Sequence, residues 1–228
     1  MILGKIMIIT GAAAIALAAA IWLYNEADDR RAGDFALGIS REMSEMLAAN
    51  RDNKLPAIAI GVGGSDINAG QNGVAGVILA SPPDSATPAT APEEAGYAGS
   101  DGAMYIGVLS FPELSLDLPV NNAFSYSALK NTPCRYSGSL KSNDLVIASH
   151  SYKTHFGEIG NMSPGDPVIF TDVSGTVYNY VVAAIDIVRP SDAANVVFSQ
   201  YDMTLFTCTY GGKARIVVRC VLDMVAHS

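Results

Sequence analysis

Residues 203–222 constrain the fold more than any other stretch of the chain. Two runs rich in β-branched and aromatic residues, 203–208 and 214–222, flank Tyr210, Gly211, Gly212 and Lys213. This composition predicts a strand, a turn and a second strand, and therefore a sheet. Side chains alternate between the two faces of a strand. Ile216, Val218, Cys220 and Leu222 then share a core-facing side, and Arg215, Val217 and Arg219 share the other. With Cys208 and Arg215 flanking the turn as opposed residues, their Cβ atoms lie about 5 Å apart on one face.

A thiol beside a guanidinium is a chemically useful pair. A cationic neighbour favours the thiolate, which is the nucleophile. The same guanidinium can hydrogen-bond a carbonyl oxygen that gains negative charge during attack. A cysteine in a hairpin is more often a small core residue, so Cys208 alone identifies nothing. A second signal lies at 145–157, where a buried-looking strand ends in His150 and a polar turn. A histidine fixed at a strand end can exchange protons with a nucleophile and a leaving group.

These residues together resemble the sortase family. The segment Thr204, Leu205, Phe206, Thr207, Cys208, followed by Arg215 opening a hydrophobic strand, is similar to the active-site hairpin of sortases. Val146, Ile147, Ala148, Ser149 and His150, then Phe156-Gly157 and Pro164-Gly165-Asp166, resemble the sortase histidine region. The likeness covers about residues 104–223, in the family order His, Cys, Arg. Ser149 stands where many sortases have glycine, a change that removes no reacting group.

The resemblance implies a mainly β fold, a closed eight-stranded β-barrel with short helices. It also implies a cysteine transpeptidase that needs no cofactor or metal. Cys208 would attack a backbone carbonyl in the C-terminal sorting signal, resembling Leu-Pro-x-Thr-Gly, of a surface protein. His150 would protonate the departing amine, and Arg215 would steady the carbonyl and the oxyanion. Thr207, just before the nucleophile, would shape the substrate pocket. The acceptor would be an amine of a peptidoglycan precursor in a Gram-positive cell wall, or of a pilin. The Thr-Cys-Thr-Tyr segment is somewhat class B-like. The short loop at 188–201 argues against that class, which leaves a class B- or D-like subclass open. Two other functions fit the same residues: a surface cysteine protease with water as acceptor, and a tethered β-barrel binding module without turnover.

Composition excludes other partners. The formal charge is −8 and the isoelectric point about 4.7, with no basic patch of the kind that binds nucleic acid. Cys134, Cys208 and Cys220 are an odd number, so no disulfide scaffold is indicated. A Cys134–Cys220 pair is arithmetically possible, but Cys220 falls on the inferred core face. No Cys/His spacing resembles a zinc site.

Ahead of the β-rich part, residues 6–24 are apolar apart from Thr10 and Gly11, and Lys5 precedes them. About 19 such residues can cross a bilayer as a helix. Trp22 and Tyr24 close the run, where aromatic side chains favour the membrane interface. Positive charge before the run predicts a cytoplasmic N-terminus and an extracellular catalytic domain, in a single pass. A cleaved signal peptide ending near Ala18, Ala19 and Ala20 is the competing reading. The apolar run continues past that point, which favours an uncleaved anchor.

The expected organisation is an anchor at 1–24, a stalk helix at 25–50, a flexible linker at 51–103 and the barrel at 104–228. Phe35, Ile39, Met43, Met46 and Leu47 fall near helical spacing in the stalk. The linker is dominated by Ala, Gly, Ser and Pro, with a transient strand conceivable at 73–80. Within the barrel, strands are predicted at 105–109, 116–120, 145–150, 168–171, 177–187 and along the hairpin. A short helix or helical turn, stopped near Pro133, is predicted at 126–134.

Overall fold

The protein is described by a computed structural model covering residues 2–53, 95–192, 194–197, 199–209 and 212–223. Helix α1 (Ile2–Asn53) precedes the strands β1 (Tyr97–Ala98), β2 (Met104–Phe111), β3 (Leu116–Asn121), β4 (Cys134–Ser137) and β5 (Leu145–Ala148). β6 (Pro167–Asp172), β7 (Val177–Val188), β8 (Met203–Cys208) and β9 (Arg215–Leu222) follow. Among the described residues, short helices interrupt them, including the α-helical turns α2 (Tyr126–Leu129) and α3 (Ala194–Val197).

Among the described residues the strands form one sheet in the order β1-β2-β3-β4-β5-β8-β9-β7-β6, and β2 also pairs with β6. That last pairing, Gly107 with Asp172 through Ser110 with Ile169, closes β2–β9 into an eight-stranded barrel. β1 is an extra rung on the outer end of β2. Closure removes the free edges that an open sheet would present. Leu109, Phe111, Leu145, Ile147, Phe170, Met203, Leu205 and Val218 fill the interior. Phe156 joins them from the loop after β5, edge-on to Phe111 at 5.7 Å between centroids.

The predicted strands all appear, with ends moved by one or two residues. The helix expected at 126–134 is shorter. It stops at Leu129, and Cys134 begins β4 instead. Pro133 cannot extend a helix whose preceding residues already turn back. β4 is four residues long and its pairing with β5 is irregular between Arg135 and Ser137, so it carries no clean alternation.

The N-terminal region is one continuous helix, in which the expected stalk runs on from the expected anchor. Among the described residues, no helix is long and apolar enough to cross a membrane. Asn25, Glu26, Asp28, Asp29, Arg30 and Arg31 break the hydropathy immediately after Tyr24. Nor does the segment at 25–50 stand clear of the barrel. Ala32, Ala36, Ile39 and Met43 recur at helical spacing and are buried. Ile39 and Met43 pack on Tyr105 and Val108 of β2. Small residues allow the approach: a Cβ on Gly33 would lie 2.7 Å from Cγ2 of Thr154. Further along, Glu42 accepts hydrogen bonds from the Tyr97 hydroxyl (2.6 Å) and from Ser100 Oγ (2.9 Å). The Glu42 carboxyl is held below its ordinary pKa by those donors, Tyr97 first. Most of the expected linker lies outside the described residues, including 73–80. Its ends are ordered, 51–53 in α1 and 97–98 in β1.

Candidate active site

β8 and β9 form the hairpin that the sequence predicts. Cys208 opposes Arg215, and the register continues through Phe206 with Val217 and Thr204 with Arg219. Met203 and Leu205 face the barrel interior with Val218 and Cys220. Thr204, Phe206 and Cys208 therefore face outward with Arg215, Val217 and Arg219. Thr209 closes the hairpin. Its amide donates to the Ala214 carbonyl at 2.9 Å, and the Ala214 amide returns a bond to Thr209 Oγ1 at 3.0 Å. These bonds fix the strand ends that carry Cys208 and Arg215. The role of Thr209 is not part of the Cys/His/Arg pattern, although its place next to the turn is a usable signal.

The histidine is brought to the hairpin by a parallel pairing. β5 lies beside β8 with Ala148 opposite Phe206. Ser149 extends the contact by donating its amide to the Phe206 carbonyl at 3.1 Å. Thr207 Oγ1 donates to the Ser149 carbonyl at 2.9 Å. His150 follows two residues after Ala148, level along the sheet with Cys208, which follows two residues after Phe206. The loop beyond then turns back, and the Phe156 amide donates to the His150 carbonyl at 3.2 Å. Cys208 and Arg215 are thus paired at the ends of β8 and β9, and His150 follows the end of β5 at the same end of the barrel.

Thr207 occupies a different position from the one expected of it. Its side chain is 1% exposed and faces inward, opposite Ile216. Its hydroxyl ties the end of β5 to β8 through Ser149 rather than lining an open pocket. Pairing with core-facing Ile216 was the sequence signal for this inward direction.

Burial separates the remaining candidates. Cys208 is half-buried, whereas Cys134 and Cys220 are fully buried, and all three are free thiols. Burial pushes the Cys134 and Cys220 thiols up to about 12, which disfavours their thiolates. Cys134 and Cys220, the pair left open by the sequence, are not bonded to each other. His150 is half-buried and its ring lies 5.1 Å from that of Tyr152. Burial lowers its pKa from the ordinary histidine value, the Lys130 charge lowers it further, and Asp28 opposes both. His155 is fully buried, and burial lowers its pKa to about 4. Arg219 is 4% exposed. Its guanidinium donates to Asp186, to the Val196 carbonyl and to Thr204 Oγ1, and lies over the Tyr201 ring. It fastens the segment between β7 and β8 to the barrel wall. Arg215 is half-buried at the hairpin mouth, with Nη1 3.4 Å from the carbonyl of Ala214.

The family model for the Sortase domain matches residues 109–223. The chain belongs to the sortase family. Similar solved structures include the sortase D5 transpeptidase of Clostridium perfringens. It is 22% identical, with a TM-score of 0.46, over 52% of this chain and 79% of that one. A lid mutant of sortase A from Corynebacterium diphtheriae is 24% identical, with a TM-score of 0.47, over 53% and 71%. Streptococcus pneumoniae sortase C is 26% identical, with a TM-score of 0.47, over 52% and 68%. These structures carry the type letters A, C and D and assign no subclass to this sortase. No curated protein sequence matches the chain.

Proposed function

We propose that this sortase is a cysteine transpeptidase in which Cys208, His150 and Arg215 act together on a sorting signal. The observation that carries the reading is the direct pairing of Cys208 with Arg215 across the hairpin, within the part of the chain that matches the family model. The Cys208 thiolate attacks a backbone carbonyl of the substrate protein. Arg215 donates to the oxygen as it becomes an oxyanion. The tetrahedral intermediate collapses with cleavage of the C–N bond, and His150 gives its proton to the departing amine. An acyl thioester remains on Cys208. A primary amine then attacks the thioester, gives its proton to His150 and releases the thiolate. The substrate class is a surface protein with a C-terminal sorting signal, and the acceptor is a cell-wall or pilin amine.

Incubation of the protein with sorting-signal peptides and a set of primary amines tests this reading. The expected result is a new amide product, identified by mass spectrometry, and its complete loss in Cys208→Ala. Hydrolysis alone in saturating amine would reassign the protein as a protease. Product from Cys208→Ala would remove the nucleophile assignment.

For location, we propose that the N-terminal half of α1 holds the enzyme at a membrane with the barrel outside. Support comes from its large apolar side chains, such as Ile15 (73% exposed) and Trp22 (64% exposed), which the barrel does not cover. Labelling of Cys208 on intact cells by a membrane-impermeant maleimide is the expected outcome. Labelling only after lysis would contradict it.

A further inference from the structure

The loop that follows His150 is held by a helix more than a hundred residues away in sequence. Asp28 of α1 accepts a hydrogen bond from the Tyr152 hydroxyl at 2.6 Å. Asp29 accepts from the amides of Lys153 and Thr154, each at 3.1 Å. Thr154 Oγ1 also donates to the Asp29 carbonyl at 3.0 Å. Gly33 lets α1 come close enough to meet Thr154. Within the loop, the amides of His155 and Gly157 both donate to the Tyr152 carbonyl, at 3.0 and 2.7 Å. Tyr152 is thus fixed by its backbone and by its hydroxyl, and its ring is tilted against that of His150 at 5.1 Å and 35°.

The geometry points to Asp28 and Tyr152 as positioning residues for His150, so that α1 reaches the reacting histidine through a carboxylate–phenol bond and a tilted ring contact. This rests on the role proposed for His150 above. A ring packed beside the imidazole limits its rotation, and the bond to Asp28 limits the movement of that ring. An orienting contact of this kind acts on turnover through the alignment of the proton donor. Asp28 also adds a negative charge near His150. The groups that act on the imidazole are Asp28 from α1, Lys130 from the end of α2, and Tyr152 and His155 from its own loop. Lys130 disfavours the imidazolium and Asp28 favours it. Removal of the Asp28 charge therefore lowers the His150 titration midpoint further below the ordinary value.

The test uses the full chain in detergent micelles with isotope-labelled histidine, the His150 ring signal being assigned with a His150→Gln variant. Titration midpoints and steady-state constants are measured for wild type, Asp28→Asn, Tyr152→Phe, the double variant and Asp29→Asn. Tyr152→Phe keeps the ring and removes only the hydroxyl, so it reports on the bond even if Asp28→Asn folds poorly. The expected result is a lower midpoint in Asp28→Asn, and kcat reduced about tenfold at unchanged KM in both Asp28→Asn and Tyr152→Phe. The double variant should lose less than the product of the two single losses, because the carboxylate charge and the hydroxyl act through one contact. Asp28→Glu should restore part of the loss. Asp29→Asn should lower thermal stability while leaving the midpoint in place. Unchanged midpoint and kcat in folded Asp28→Asn and Tyr152→Phe would overturn the assignment. So would an equal midpoint drop in Asp29→Asn, which would indicate general loosening of the loop. The midpoint requires no turnover, so this inference is judged separately from the transpeptidase reading, which stands or falls with Cys208→Ala.

Discussion

Two arginines share the outward face of β9, and their surroundings give them different work. Arg215 opposes Cys208 at the hairpin mouth, whereas Arg219 is sealed under the segment between β7 and β8 with three kinds of acceptor. Lysine retains the charge but not the planar fork of donors. Arg215→Lys should therefore reduce transpeptidation on the order of 10²–10³-fold with little change in stability. Arg219→Lys should leave the chemistry near normal but lose about 1–3 kcal/mol, because buried acceptors lose a partner. Steady-state rates and thermal melts of both variants check this. The reverse pattern would mean that the register of the hairpin does not determine the role. The register itself was legible in the sequence, because alternation and turn position leave one arginine opposite the thiol. The inward direction of Thr207 followed from the same alternation. The resemblance alone pointed it toward substrate, and its bond to Ser149 needed the parallel pairing of β5 with β8.

At the level of elements, α1 is part of the folded unit. Met43 is fully buried against β2, with Ile39, Tyr105 and Val108 around it. Met43→Ala should destabilise the protein by about 2–5 kcal/mol through lost burial and a residual cavity. Denaturant unfolding of the full chain measures it, and a change below about 0.5 kcal/mol, as at an exposed position, would show that α1 does not pack there. The apolar spacing of Ile39 and Met43 announced a buried face, but not its partner. A helix period reports one side of a contact only. The sequence likewise gave little sign of β4, whose four residues and irregular pairing are too short for a period to emerge.

For the whole molecule, His155 links the fold to pH. It is fully buried beneath α1 and neutral, and burial sets its pKa at about 4, below the ordinary 6.5. A folded value below the unfolded one means that the unfolded chain binds the proton first as pH falls. Stability is then complete above about 6.5 and declines as pH drops toward 4, by about 3 kcal/mol from this group. His155→Leu should flatten that part of the stability–pH curve relative to wild type, as measured by urea unfolding at several pH values. Parallel curves for the two proteins would exclude His155 as the cause. By itself the sequence determined the β-rich class, the facing of the hairpin and the residue types at the reacting end, because alternation and turn chemistry act over a few neighbouring residues. Only the tertiary structure decided barrel closure through β2 and β6, the docking of α1 on the histidine loop and the burial of Arg219 and His155. Each of these depends on chain segments far apart in sequence that meet only when the barrel closes, and no local pattern records which distant surface a residue will face.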